Sequence, residues 1–117
     1  IRDQGFAKGD PLAVAELAGV QAAKRTWELI PLAHPLALTH IEVTCTLNLT
    51  KRRVDITASA RCRGETGVEM EALTAAAAAA LTLIDMCKAA DRAMTVTDLH
   101  IVEKSGGRSG TYRRPAR

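Results

Sequence analysis

From Ile41 onward apolar and polar positions alternate strictly, with Ile41, Val43, Cys45, Leu47 and Leu49 on one face and Glu42, Thr44, Thr46 and Asn48 on the other. A period of two predicts a half-buried strand. Val54, Ile56, Ala58, Ala60 and Cys62 repeat the pattern against Asp55, Thr57 and Ser59, and the polar link Thr50-Lys51-Arg52-Arg53 joins the two runs as a hairpin. Pairing Leu49 with Val54 sets Cys45 opposite Ala58 and Cys62 opposite Ile41, so the two cysteines do not meet. A third alternating run, Thr95 to Glu103, predicts another strand.

Two segments carry the helical period instead. Asp10-Pro11 supplies an N-cap acceptor and a proline at the first helical position, where its missing N–H costs nothing. Leu12, Ala15, Ala18 and Ala22, with Leu17, Val20 and Lys24, continue at helical spacing to about Trp27. Pro31 and Pro35 end that pattern and predict a stiff, extended loop through Leu32, Ala33 and His34. Thr66-Gly67-Val68-Glu69 fits a capping box ahead of a long helix reaching about Ala90. Lys104 to Gly110 reads as a glycine-rich turn, and residues 111–117 as an edge strand or a frayed end.

The order helix, strand, strand, helix, strand predicts an α+β domain, an antiparallel sheet covered on one face by two helices. A strand ahead of residue 1 would complete the split βαβ order of ferredoxin-like folds. Ile1 is no natural initiator, which points to an N-terminal part missing from a single domain spanning residues 1–117.

Composition changes this picture in one respect. The chain has 117 residues, room for one domain, and its 47% hydrophobic and 25% charged content places it among ordinary globular proteins. Yet the aromatics are only Phe6, Trp27 and Tyr112, while alanine supplies 21 residues, unbroken from Ala75 to Ala80. At roughly 25 cal/mol per Å² a core of methyl groups stabilises less per residue than one of Leu and Phe, so burial between subunits is expected. No apolar stretch approaches the roughly 20 residues of a membrane span and no signal peptide is recognisable, which points to the cytoplasm.

The net charge of +3 is uneven. Lys104, Arg108, Arg113, Arg114 and Arg117 crowd the last segment with no acid among them, which suits an anion or a solvated end. Cys45, Cys62 and Cys87 are odd in number and lack C-x-x-C spacing, so neither a disulfide framework nor a zinc site is indicated.

Several side chains could carry chemistry, each with a plainer alternative. Lys8 precedes a helix N-terminus, a place for anions, but a lone lysine is usually solvated. His34 is fixed between prolines, as a functional or a merely hydrogen-bonded imidazole would be. Asp85 and Lys88 share a helix face, where a carboxylate can orient an ammonium for proton transfer or form an ordinary surface ion pair. Glu69 is explained by capping alone. Glycines 106, 107 and 110 with Lys104 could cradle phosphate or simply turn the chain. Glu71 and Asp85 stand 14 residues apart on one helix, roughly 21 Å along its axis. One small reacting centre cannot touch both from one chain, so either the ligand is long or two subunits share the site.

Taken together, Lys8-Gly9-Asp10, the run Gly19 to Thr26, the loop Leu29 to Leu36, the stretch Thr66 to Thr74, Asp85-Met86-Cys87-Lys88 and Lys104-Ser105-Gly106-Gly107 resemble the MoaC family of molybdenum cofactor biosynthesis, over nearly all of residues 8–112. The resemblance implies a ferredoxin-like subunit in a homohexamer, a trimer of dimers with active sites at dimer interfaces. It implies a cyclic pyranopterin monophosphate synthase, a lyase acting after a radical S-adenosylmethionine enzyme that cyclises GTP. The 3′,8-cyclo-dihydro-GTP substrate becomes cyclic pyranopterin monophosphate with release of pyrophosphate. Motif by motif, Asp85 and Lys88 match catalytic residues, and Lys8 and Lys104 further active-site lysines. Leu32, Ala33 and His34, and Met70 and Glu71 with Glu69 close by, match substrate-binding segments. Ala33 stands where the family usually has cysteine, which argues against a required thiol nucleophile there. No redox step is needed, so no organic or redox-metal cofactor is expected, and Mg²⁺ accompanying the triphosphate is left open. The alternative is a small ferredoxin-like nucleotide- or RNA-binding module, but its strands would offer no aromatics for base stacking.

Overall fold

The structure, a computed structural model, describes residues 10–64, 66–107 and 110–115. Its elements run α1 (Pro11–Lys24), α2 (Thr26–Leu29), β1 (Leu38–Asn48), β2 (Arg53–Cys62), α3 (Glu69–Cys87), β3 (Glu103–Lys104) and β4 (Tyr112–Arg113). The expected α+β arrangement is present: β1 and β2 form an antiparallel hairpin with α1 and α3 packed on its apolar face.

Asp10 caps α1 as its sequence predicts, its carboxylate accepting from Leu12 N at 3.0 Å and Ala13 N at 3.4 Å. The chain pauses at Arg25, and the buried Thr26 turns its hydroxyl back to donate to Ala23 O at 3.0 Å. This hydrogen bond satisfies a polar side chain that would otherwise be costly to bury.

The two long helices meet along small residues. Pro11, Ala15, Gly19 and Ala23 are buried at every fourth position of α1, and Glu71, Ala75, Ala79, Leu83 and Cys87 at every fourth of α3. Rows at this spacing form the ridges by which helices interdigitate. A Cβ placed on Gly19 would stand 2.9 Å from Ala75 O and 3.0 Å from Val43 Cγ2, so the close approach requires glycine there. Val43 and Cys45 complete the buried centre from β1, with Ile41, Val54 and Ile56 partly buried around it. The alanine run is thus the means by which α3 lies close to α1 and the sheet.

The hairpin register differs from the expected one. Leu47 pairs with Val54 and Cys45 with Ile56, and the loop Leu49–Arg52 is closed by Asn48 Oδ1 accepting from Lys51 N at 3.0 Å. Relative to Leu49 opposite Val54, the pairing is displaced by two residues, which preserves the inward and outward faces. Leu49 is left exposed, and Cys45 and Cys62 remain apart. On the far side of β1 the Glu16 carboxylate accepts from Cys45 N at 2.8 Å, so a helix side chain occupies a position that another strand would use.

Four further expectations are corrected. Val68, not Thr66, is the N-cap of α3, and no side chain caps it. With Glu69 as the first helical residue rather than the third, its carboxylate is not where a capping box needs it. The helix ends at Cys87, three residues before the expected Ala90, in a turn where Ala90 N and Asp91 N both donate to Cys87 O. Only the last part of the third alternating run is a strand: Glu103–Lys104 pairs with Tyr112–Arg113, while residues 94–102 lie across a cleft from β2. Among the described residues β2 pairs with β1 alone, and the cleft keeps the alternating run from bonding to its other edge. Finally, the 19 residues of α3 are long and apolar enough to cross a membrane, contrary to the sequence expectation. In this fold its buried row packs on α1 and the hairpin, as in the core helix of a globular domain.

Candidate active site

Among the described candidates, Glu69, Met70, Glu71 and Lys104 gather at the start of α3 and Asp85 and Lys88 at its end. At its start Glu69 and Glu71 place negative charge in the first turn, where unpaired N–H groups favour it. Glu71 is only 5% exposed and continues the row of Ala75 and Ala79. Met70 is exposed beside it.

Freed from capping, the Glu69 carboxylate lies against Lys104, with Oε1 3.9 Å from Nζ. The Lys104 side chain is only 10% exposed and that of Glu69 32%. Glu69 Oε2 is buried with no hydrogen-bond partner, which in a native fold calls for an explanation. β3 delivers Lys104, and the turn after it brings Gly106 and Gly107 round in left-handed conformations, at φ 82° and 75°. A Cβ on Gly107 would lie 3.5 Å from Lys104 Nζ and 3.3 Å from Gly67 N, so this turn crosses directly over the residues preceding α3. The glycine-rich segment is therefore a packed crossing beside an ion pair.

At the other end Lys88 Nζ donates to Asp85 Oδ1 at 2.9 Å. Both side chains are more than half exposed, 62% and 57%. The pairing expected from the three-residue spacing is formed, and Lys88 sits as C-cap, where helix carbonyls favour a cation. A depression of about 440 Å³ adjoins the pair, lined by Ile84, Lys88, Ala89, Asp91, Arg92 and Met94. Arg92 brings a second cation to this wall, and its one sequence signal is a basic residue four after Lys88. A larger cleft of about 1920 Å³ runs between β2 and residues 94–107, with Glu69, Lys104 and Gly107 among its lining at one end and Ile84, Cys87 and Met94 at the other.

The loop through the prolines follows α2, which touches α3. Leu32 is 96% exposed, Ala33 half-buried and His34 exposed, and His34 makes no hydrogen bond or ion pair among the described residues. Lys8 lies outside the described residues. The structure thus forms two pairs, Glu69 with Lys104 and Asp85 with Lys88, and keeps them apart. The continuous helix between them fixes Glu71 and Asp85 roughly 21 Å apart along the axis.

Burial pushes the Cys45 thiol from its usual 9.0 up to about 11, with the nearby Glu16 carboxylate adding to the effect. Burial raises Cys87 as well. Cys62 is half-buried and its Sγ donates to Thr66 O at 3.3 Å. Among the described residues no three of His, Cys, Asp and Glu cluster as a metal site would require.

The chain matches the MoaC family over residues 1–107. It is 56% identical over 114 residues to the cyclic pyranopterin monophosphate synthase of Heliobacterium modesticaldum, covering 97% of this chain and 72% of that protein. It is 56% identical over 112 residues to the synthase of that name from Rhodospirillum rubrum, covering 96% of this chain and 68% of the relative. Cyclic pyranopterin monophosphate synthase 1 of Mycobacterium tuberculosis is 57% identical over 116 residues, covering 99% and 68%.

Proposed function

The chain belongs to the MoaC family and so to the lyases of molybdenum cofactor biosynthesis, and we propose that it converts (8S)-3′,8-cyclo-7,8-dihydroguanosine 5′-triphosphate to cyclic pyranopterin monophosphate and pyrophosphate by general acid–base catalysis. The observation that carries the mechanism is the hydrogen bond from Lys88 Nζ to Asp85 Oδ1 on an open helix end.

Remaking the cyclised purine as a pyranopterin moves protons between nitrogen and oxygen, and closing the cyclic phosphate expels pyrophosphate. Atoms and charge balance without an oxidant or reductant, so on this reading no organic or redox-metal cofactor takes part. Lys88 and Lys8 exchange protons with the substrate, and Asp85 orients the Lys88 ammonium. Arg92 on the same wall adds a second positive charge facing the anionic substrate. Lys104 and the glycine-rich turn hold phosphate and neutralise charge that develops as pyrophosphate leaves. Glu71 and His34 position the base or ribose portion, His34 from the exposed loop with Leu32 and Ala33, and Glu71 from the buried side of the first helical turn beside Glu69 and Met70. Whether Mg²⁺ travels with the triphosphate is decided by turnover before and after chelation.

The two ends of α3 serve one substrate by standing at an interface, the Asp85–Lys88 end of one chain facing the Glu69–Lys104 end of another. A homohexamer built as a trimer of dimers supplies such interfaces. Exposed Val14 and Leu17 on α1 and Leu81 on α3 offer the apolar surface that subunit contacts bury. A radical S-adenosylmethionine GTP cyclase supplies the substrate, and the reaction belongs to the cytoplasm. The test is an assay with enzymatically generated substrate, followed by pyrophosphate release. Replacing Asp85 or Lys88 with alanine should abolish product while leaving the assembly intact, and near-normal turnover by either variant refutes the assigned roles.

A further inference from the structure

Glu69 is the most awkwardly placed polar side chain among those described. One carboxylate oxygen faces Lys104 Nζ at 3.9 Å, and the other is buried without a hydrogen-bond partner. No cap explains its pose, because α3 begins at Glu69 itself and its N-cap is Val68. Space explains it. A Cβ built on Gly67 would overlap Glu69 Oε2 and stand 3.3 Å from Glu69 Cδ. The carboxylate therefore occupies the volume where any other residue at 67 would carry its side chain.

Gly67 is not required by its backbone, whose φ lies outside the left-handed region that Gly64, Gly106 and Gly107 occupy. Its other side is closed by the Gly107 crossing, 3.3 Å from Gly67 N to the place of a Gly107 Cβ. We infer that Gly67 is a positioning residue, whose missing side chain is the seat that holds the Glu69 carboxylate against Lys104 in the substrate-binding end of the site. This rests on the reading of Glu69 and Lys104 as substrate-binding groups.

The group that an added methyl would meet is the far end of a flexible side chain. Gly67→Ala should therefore fold normally and move Glu69, whereas a glycine needed for packing would cost stability. A shorter acid separates the two roles, because in Glu69→Asp the carboxylate is drawn back by one methylene and no longer overlaps a Cβ at 67.

The experiment is a double-mutant cycle in the full-length protein, measuring pyrophosphate release and thermal unfolding for Gly67→Ala, Glu69→Asp and the double variant. A crystal structure of Gly67→Ala and the turnover of Glu69→Gln complete it. Gly67→Ala is expected to raise KM at least tenfold with Tm nearly unchanged, and to add less than a twofold further loss in the Glu69→Asp background. The carboxylate in its crystal structure should be displaced from Lys104. Equal losses in the two backgrounds, wild-type KM in Gly67→Ala, or an unmoved carboxylate overturns the inference. Full turnover by Glu69→Gln would instead remove the substrate-binding reading on which it rests, and the crystal structure would still decide whether Gly67 seats the carboxylate.

Discussion

The two ends of α3 carry the same chemical pairing, a carboxylate with a lysine, in opposite surroundings. At the start, Glu69 and Lys104 come from elements far apart in sequence, and the lysine is 10% exposed with the acid wedged over Gly67. At the far end, Asp85 and Lys88 are three residues apart, joined at 2.9 Å and more than half exposed. An exposed pair of this kind contributes little stability, about 0.3–0.5 kcal/mol. The first pair is thus a product of the fold, and the second only of helix geometry. A group that must exchange protons with a substrate benefits from openness, while one that must hold a phosphate in register benefits from confinement.

The largest effect that would break this contrast is at the open end. Asp85→Ala or Lys88→Ala should slow product formation by about 10²- to 10⁴-fold, the usual contribution of a positioned acid or base, while thermal unfolding hardly moves. A matching loss of stability would show that the pair holds the fold together after all. At the confined end, Lys104→Ala should weaken substrate binding by roughly 10- to 100-fold, the worth of a charge-assisted hydrogen bond at about 1.5–3 kcal/mol. Tm measured beside KM separates lost binding from lost folding. Between the ends, Gly19→Ala should cost about 1–3 kcal/mol in chemical denaturation by overpacking, leaving the activity of the folded fraction intact.

The thiols give the smallest effects. Cys62, half-buried near the start of α3, should react with a thiol reagent at neutral pH ahead of Cys45 and Cys87, which are buried, the latter at the helix's far end. Cys45 stays neutral in the folded chain up to about 11 but ionises from its usual 9.0 when unfolded. Its contribution to stability is complete below pH 9 and lost as pH rises from 9 to 11. Unfolding titrations of Cys45→Ala against the unmodified chain should diverge over that range and run parallel below it.

Periodicity revealed the helices and the hairpin because each is a local pattern with one buried face. The capping box misled because Thr66, Val68 and Glu69 satisfy its spelling while the helix starts two residues later than the motif requires. The third strand misled because alternation describes a chain able to pair and says nothing of whether it comes within bonding distance of an edge. Asp85 with Lys88 was legible from spacing. The contact of Glu69 with Lys104 was not legible, since 35 residues separate them and no local rule connects a helix start to a distant turn. Gly67 carried no signal as chemistry, for its contribution is empty space.

The small residues where α1 meets α3 have a mechanical consequence. Alanine and glycine have no rotamers to exchange, so the two helices cannot slide past one another by repacking side chains, as helices joined through leucine or methionine can. α3 is therefore a strut of fixed length, braced along its middle, with a carboxylate–lysine pair at either tip. Bending cannot bring those tips together, and on the proposed reading the distance between the acid–base pair and the phosphate grip is set by how chains are placed side by side.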